Sequence, residues 1–214
     1  MQITTNNNEN TATISSQNAF PKFPVLFQIV LGLVCGGLTF LASFFQQLAL
    51  IPLYLDTIFT STASFFGLFS GLVSALFYHT LCIIIWKQNF TNFIWVLCSI
   101  TLVFIIRLYI RKKTKIFPID IINLIFLNAV IISIEGALIF TILHILVNYN
   151  EDSSVRTMYL MLVRSNISLF VSALLPRIPV NILDKGLSIA GGYFSFIGIK
   201  KLCNMIKKLQ KHNI

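Results

Sequence analysis

The sequence predicts an all-α membrane protein, a six-helix transmembrane bundle with an interfacial helix before the last span. Hydrophobic residues make up 56% of the 214 residues and charged residues only 11%, whereas a soluble domain carries about 25% charged residues. The apolar residues form long continuous runs and not the alternating segments of about ten residues that build an outer-membrane barrel. The basic residues lie at the ends of these runs. The net charge of +9 therefore indicates membrane topology and not nucleic-acid binding.

The chain divides into three predicted parts. Residues 1–24 form an Asn- and Thr-rich polar tail, which we expect to be disordered and which lacks the pattern of a signal peptide. Residues 25–202 form the six-span membrane domain. Residues 203–214 form a basic tail, which we expect on the cytoplasmic side.

The predicted spans follow from the lengths of the apolar runs. About 20 helical residues cross the hydrocarbon core, which is roughly 30 Å thick. The run from Pro52 to Lys87 is too long for one crossing, because a helix of that length would extend about 54 Å. Gly67 and Gly71 predict a break within it. We therefore expect spans at about 25–51, 52–68, 70–87, 92–110, 118–149 and 180–199.

Segment 158–175 is long enough to cross but carries polar residues on one helical face, which is typical of a helix at the membrane interface. If it does not cross and both termini are cytoplasmic, 11 basic residues lie inside and 5 outside. If it crosses, the division becomes 8 to 7. Because basic residues favour the cytoplasmic side, we predict a multi-pass protein of the cell membrane with both termini cytoplasmic. A five-span alternative gives 10 to 6 and is disfavoured only by helix length.

Three short motifs follow this helix pattern. They are a small-residue face in the first span, a Leu-x-Leu-Asp stretch with a later Gly-x-x-x-Gly turn, and a Pro-x-Asn-x-x-x-Lys-Gly start of the last span. The motifs lie at Gly32, Gly36 and Gly37, at 53–57 with Gly67 and Gly71, and at 178–186. With the order of helices and basic clusters, they make the chain similar to the membrane-embedded S component of an energy-coupling factor (ECF) vitamin transporter.

This resemblance implies a subunit that captures a vitamin or similar micronutrient in a pocket of outer helix halves and loops. It also implies delivery inward on a shared transmembrane coupling subunit with two ATPase subunits, in contact with membrane lipid. Gly32, Gly36 and Gly37 would dock on the coupling subunit. Residues four apart share a helix face, and glycines there let another helix approach closely. The alternative is that these glycines pack against helices of the same chain.

The middle of the fifth predicted span contains an ionisable residue, Glu135, with Asn128 two turns earlier on nearly the same face. A charge at the bilayer centre costs at least a few kcal/mol, so such residues indicate a functional site. We expect these two residues to contact a ligand. The alternative for Glu135 is a protonated side chain that is hydrogen-bonded within the bundle.

A second group of candidate ligand contacts lies at the outer ends of the second and last spans. Its members are Tyr54, Asp56, Asn181, Asp184 and Lys185, which by the resemblance would cap the substrate pocket. Helix capping is the alternative for the two aspartates, because Asp is favoured at helix N-termini. For Lys185 the alternatives are pairing with Asp184 and snorkelling toward the interface.

Catalytic and cofactor motifs are missing from the sequence. It contains no Walker-type glycine loop, no recognisable Ser-His-Asp or Cys-His set and no His-Glu-x-x-His. The three histidines are not at metal-ligand spacing. We therefore expect no enzyme activity, no cofactor and no metal. Two functional alternatives stay open, a membrane module that senses a ligand without transport and a stand-alone carrier.

Overall fold

A computed structural model describes residues 23–49, 51, 53–111, 113, 115–149 and 155–212. For residues 203, 204 and 206–212 the description covers the helical backbone alone. The predicted polar tail therefore lies outside the described residues except for Phe23 and Pro24. The predicted basic tail continues the last helix as far as His212.

The described part of the chain is helical and contains no β-strand, which confirms the all-α part of the predicted fold class. A 3₁₀ turn at Phe90–Trp95 leads directly into α4. The helices are α1 (Val25–Leu48), α2 (Ile58–Phe66), α3 (Leu68–Trp86), α4 (Val96–Arg111), α5 (Pro118–Val147), α6 (Arg156–Arg164) and α7 (Leu169–His212).

Four segments are long and apolar enough to cross a membrane. They are α1, α3, α5 and the continuous segment Phe90–Arg111, with mean hydropathies between 2.0 and 2.4. The chain is therefore a membrane protein by the length and composition of its helices. The last helix, α7, is also long enough, but Arg177, Asp184 and Lys185 interrupt its apolar sequence.

The predicted helix break at Gly67 is confirmed, because this single residue separates α2 from α3. The predicted span at 52–68 is wrong in length. Helix α2 has nine residues, which extend about 14 Å at 1.5 Å per residue. The preceding segment Leu53–Thr57 is not helical, and Leu55 adopts a left-handed conformation with φ 49°. Its N–H bonds to a carboxylate oxygen of Asp184 and not to a helix carbonyl.

Helix α2 lies at the centre of the bundle. It packs against α1, α3, α4 and α7, and every residue from Thr60 to Phe66 is buried. Its hydroxyl groups bond locally or to neighbouring helices, as Thr60 does with Ser74 of α3 at 2.9 Å. Irregular backbone at membrane depth needs protein partners for its polar groups. The central position of α2 places the irregular Leu53–Thr57 segment beside α7, which supplies such partners.

The expected single helix at 158–175 is interrupted in the structure. Helix α6 ends at Arg164, and Asn166 follows in a left-handed conformation with φ 60°. Helix α7 then begins at Leu169 and continues through Pro176 and Pro179, so the predicted start of the last span at residue 180 is wrong. A proline removes one backbone donor from a helix. The packing of α7 on α5 holds the helix across these positions.

The small-residue face of α1 packs against α3 of the same chain. A Cβ atom at Gly32 would lie 2.7 Å from the Ser70 carbonyl oxygen, and one at Gly36 would lie 2.8 Å from the Ser74 carbonyl oxygen. The intramolecular alternative therefore describes both positions, and docking of a coupling subunit at Gly32 and Gly36 stays an untested prediction. A Cβ atom at Gly37 would meet nothing closer than 4.0 Å.

The turn between α4 and α5 is fixed by Asp120. One carboxylate oxygen accepts hydrogen bonds from Lys113 at 2.8 Å and Tyr109 at 3.2 Å, and the other accepts the Phe117 N–H at 2.9 Å. The hydrogen bond to Asp120 raises the pKa of Lys113. This carboxylate is at the opposite end of α5 from the cavity described next.

Candidate functional site

A cavity of about 760 Å³ opens between α1, α3, α5, α7 and the 3₁₀ turn. Its volume lies in the range of small-molecule sites, roughly 300–1,000 Å³. The irregular segment before α2 forms part of its wall. Its aromatic and charged lining residues, with the polar ones used below, are Ser43, Tyr54, Asp56, Tyr78, His79, Trp86, Trp95, Tyr149, Arg177, Asn181 and Lys185.

A buried ion-pair cluster forms one wall of the cavity. The Lys185 ammonium donates hydrogen bonds to Asp184 Oδ2 at 2.7 Å, Thr57 Oγ1 at 2.9 Å and Asp56 Oδ1 at 3.3 Å. Asp184 Oδ1 accepts the Leu55 N–H at 2.8 Å. All three ammonium donors are therefore used, which a buried cation requires because its desolvation is costly.

This cluster explains why the Leu53–Thr57 segment departs from helical structure. Leu55, Asp56 and Thr57 each contact Asp184 or Lys185 on α7. Two adjacent charged residues on one helix thus bind three successive residues of the segment. These hydrogen bonds hold the segment against α7 beside the cavity.

A second cation of the lining, Arg177, lies on α7 two turns before the ion-pair cluster. Its guanidinium carbon lies 5.0 Å from the Phe140 ring centroid and 6.0 Å from that of Trp95, and its Nη1 donates to the Ala173 carbonyl at 2.8 Å. Aromatic faces attract a guanidinium through the ring quadrupole. A Cβ atom at Gly136 would lie 3.6 Å from the Arg177 side chain, an ordinary contact distance, so Arg177 packs directly on α5.

Polar side chains of the lining connect neighbouring helices. Ser43 of α1 donates to the Tyr78 hydroxyl at 3.2 Å, and His79 Nε2 is hydrogen-bonded to Ser99 Oγ of α4 at 3.0 Å. Asn181 donates from Nδ2 to Ser133 Oγ of α5 at 2.9 Å. These contacts hold the lining residues in fixed positions, which preorganises a site for a ligand.

The structure brings four of the predicted binding residues to this cavity, namely Tyr54, Asp56, Asn181 and Lys185. Asp184 lies directly behind Lys185 and is completely buried. Of the alternatives, the structure contains the pairing of Lys185 with Asp184, while Asp184 lies inside α7 and not at a helix N-terminus. Lys185 still borders the cavity. Contact of these residues with a ligand stays a prediction.

Glu135 is not among the residues that line the cavity, and its contact with a ligand stays a prediction. Its Oε1 accepts a hydrogen bond from Thr101 of α4 at 3.0 Å, while the next residue, Gly136, borders the cavity. Its Oε2 is buried and has no hydrogen-bond partner in the part of the chain that the structure describes. The arrangement resembles the alternative of an acid hydrogen-bonded within the bundle.

Asn128 is also outside the cavity lining. Its side chain is completely buried, and its Nδ2 donates to the Leu124 carbonyl of its own helix at 2.8 Å. The ligand contact of this residue likewise stays a prediction. A side chain that bonds back to the preceding turn satisfies part of its own polarity inside an apolar helix.

Sequence reasoning did not select Arg177 or Tyr78 for the site. In the charge count over the sequence Arg177 is one of the five basic residues on the outer side, although a single arginine within an apolar run is itself a signal of a functional position. Tyr78 carries no comparable signal, because apolar runs contain aromatic residues for packing alone.

No protein-family model, curated protein or solved structure matches the chain. Among the described residues, no group of three or more His, Cys, Asp or Glu side chains could hold a metal ion. The cavity and the buried ion-pair cluster are therefore the features of the structure that bear on function.

Proposed function

We propose that the chain is the membrane-embedded substrate-capture subunit of an ECF-type system for uptake of a vitamin-like micronutrient. The observation that carries the proposal is the polar cavity of about 760 Å³ inside a bundle of apolar helices. Charged residues within membrane helices are costly and mark binding sites or pathways. A cavity of this size with convergent polar groups suits a small solute.

The proposed topology has six passes and both termini in the cytoplasm. The passes are α1, the segment 53–66, α3, α4, α5 and α7. The second pass combines the irregular Leu53–Thr57 segment with the short α2. The cavity then faces outward, because its lining includes Gln88, Asn89 and Tyr149, which follow the outer ends of α3 and α5. Arg111, Lys113 and Lys115 lie on the inner side, in agreement with the preference of basic residues for that side.

The proposed docking surface for the coupling subunit is the outward face of α1. Within an apolar stretch of 18 residues of α1 only 22% is buried inside the protein, compared with 39% in a stretch of the same length in each of the other three apolar segments. Val34 and Leu41, on the part of α1 that faces away from α3, are 54% and 50% exposed. Gly37 is half-buried beside this face. Lipid also fits such a surface, so the assignment to a partner needs an experiment.

The first experiment purifies the tagged chain from its host in mild detergent and identifies retained proteins and small molecules by mass spectrometry. If the chain works in an ECF-type complex, a coupling subunit, two ATPase subunits and a solute should be retained. Uptake of the solute should then require all of these subunits. Uptake by the isolated chain would instead establish a carrier. A retained solute without transport or coupling subunit would establish a ligand-sensing module, and the absence of any solute would contradict substrate capture.

The second experiment tests the docking surface with a photo-crosslinking amino acid. At Val34 it should capture the coupling subunit. At Ile134, which is 42% exposed on α5, it should capture lipid and no coupling subunit. Equal capture at both positions would show nonspecific contact in the membrane, and capture from Ile134 alone would place docking on the wrong helix.

A further inference from the structure

The charged groups around the cavity differ in their accessibility. Lys185 and Arg177 are each 2% exposed and Asp184 is completely buried. The side chain of Asp56 is 25% exposed. A solute in the cavity therefore meets the Asp56 carboxylate before any other charge of this group.

One oxygen of Asp56 is available for a ligand. Its Oδ1 accepts the long hydrogen bond from Lys185 at 3.3 Å. Among the described residues no donor is hydrogen-bonded to its Oδ2. Lys185 is shared between two carboxylates, so the cluster of Asp56, Asp184 and Lys185 has a formal charge of −1. A second positive group at Asp56 Oδ2 would neutralise it in a site where water screening is weak.

The surroundings of Asp56 also favour a cation. Tyr54, Tyr78 and Trp86 line the same cavity as Asp56. Aromatic ring faces attract organic cations, most strongly where the site is shielded from water. The second cation of the lining, Arg177, lies against the rings of Trp95 and Phe140 and is only 2% exposed.

We propose that the cavity takes an organic cation, a small molecule with a flat or apolar body and a protonated nitrogen that pairs with Asp56 Oδ2. This names the ligand class of the proposed function and rests on it for the premise that the cavity binds a solute. The charge of Asp56 selects for the protonated nitrogen, and the aromatic lining contacts the body of the ligand.

The test uses three probes of similar size and different charge, namely phenethylamine, phenethyl alcohol and phenylacetate. The chain contains two tryptophans, Trp86 and Trp95, and both line the cavity, so tryptophan fluorescence of the purified protein reports on this site. At neutral pH we expect phenethylamine to bind about tenfold or more tightly than the alcohol, because its hydrogen bond joins two charged groups. Phenylacetate should bind weakest.

The variants separate a charge effect from partition into detergent. Asp56→Asn should abolish the preference for phenethylamine over the alcohol, and Asp56→Glu should retain a preference. Asp120→Asn makes the same chemical change at the far end of α5 and should leave both affinities unaltered. If Asp56→Asn fails to fold, the comparison of the three probes on the unmodified protein still tests the proposal.

Two outcomes would overturn the inference. Equal affinity for amine and alcohol would show that Asp56 does not select charge, and a preference for phenylacetate would assign the site to Lys185 or Arg177. Neither result depends on a coupling subunit. Cation binding by a chain that supports no transport would therefore contradict the proposed uptake role while leaving this inference intact.

Discussion

Replacement of Lys185 by methionine is the sharpest test of the buried ion-pair cluster. Methionine has a similar length and fills most of the same volume, so the variant changes charge with little change in packing. Asp184 would keep one hydrogen bond, from the Leu55 N–H, and would lose its 2.7 Å contact to the ammonium. Asp56 and Thr57 would lose theirs as well.

The expected loss in the free energy of unfolding is about 3–5 kcal/mol, the cost of removing one partner from a buried charge pair. Complete burial of Asp184 places the cost in this range, because the remaining carboxylate has no water to solvate it. The double variant Lys185→Met with Asp184→Asn should recover part of the loss. We expect a coupling of about 1–3 kcal/mol between the two positions, since the neutral amide removes the unpaired charge.

The assay is unfolding by SDS in mixed micelles, followed by far-UV circular dichroism. Lys113→Met is the matched control, because this lysine also pairs with an aspartate but has a side chain that is 42% exposed. Its effect should be much smaller, as for surface ion pairs generally. A loss at Lys185 no larger than that at Lys113, or a double variant no more stable than Lys185→Met, would refute the account of the cluster as a structural contact.

Three further predictions concern packing, topology and Glu135. Gly36→Ala should destabilise the protein by about 1–3 kcal/mol, because the added Cβ overlaps α3, whereas Gly37→Ala should have little effect in the same unfolding assay. In intact cells, a membrane-impermeant maleimide should label a cysteine at Phe90 and reach one at Lys113 only after lysis; the reverse pattern would invert the topology. Glu135→Gln should leave phenethylamine affinity unchanged, and a clear loss would return Glu135 to the binding site.

The apolar runs predict the helices of the structure well because hydropathy and helix length are local properties. The predicted span 118–149 is close to α5, Pro118–Val147. Gly67 follows the last residue of α2 as expected, since glycine has a low propensity for the interior of a helix. The count of crossings is harder to predict, because it depends on short elements such as α2.

The irregular Leu53–Thr57 segment could not be predicted from local sequence. Its apolar residues read as the start of a helix, but the N–H of Leu55 finds its partner in Asp184, 129 residues later in the chain. A contact at that separation is decided by the tertiary fold. The motif at 178–186 indicated that Asp184 and Lys185 matter, but it did not indicate which segment they hold.

The direction of side chains on an apolar helix was equally hard to predict. Helix α5 is apolar on all sides, so its sequence does not distinguish the face of Glu135 from the face of Gly136. For the same reason Gly32 and Gly36 could equally have met a partner or α3. The contacts of such residues depend on which helices pack together, and this packing depends on residues throughout the chain.

The position of Asp56 links ligand binding to the stability of the fold. Asp56 belongs both to the cavity wall and to the segment that Lys185 holds on α7. A cation that neutralises the excess charge of the cluster should therefore stabilise the folded protein. At a hundred times its dissociation constant, a ligand that binds only the folded state adds about 2.7 kcal/mol. At such a concentration phenethylamine should raise the free energy of unfolding of the unmodified protein by about this amount and that of Asp56→Asn by clearly less, because the variant keeps only the weaker binding expected of the alcohol. Equal increases in both proteins would contradict binding at Asp56.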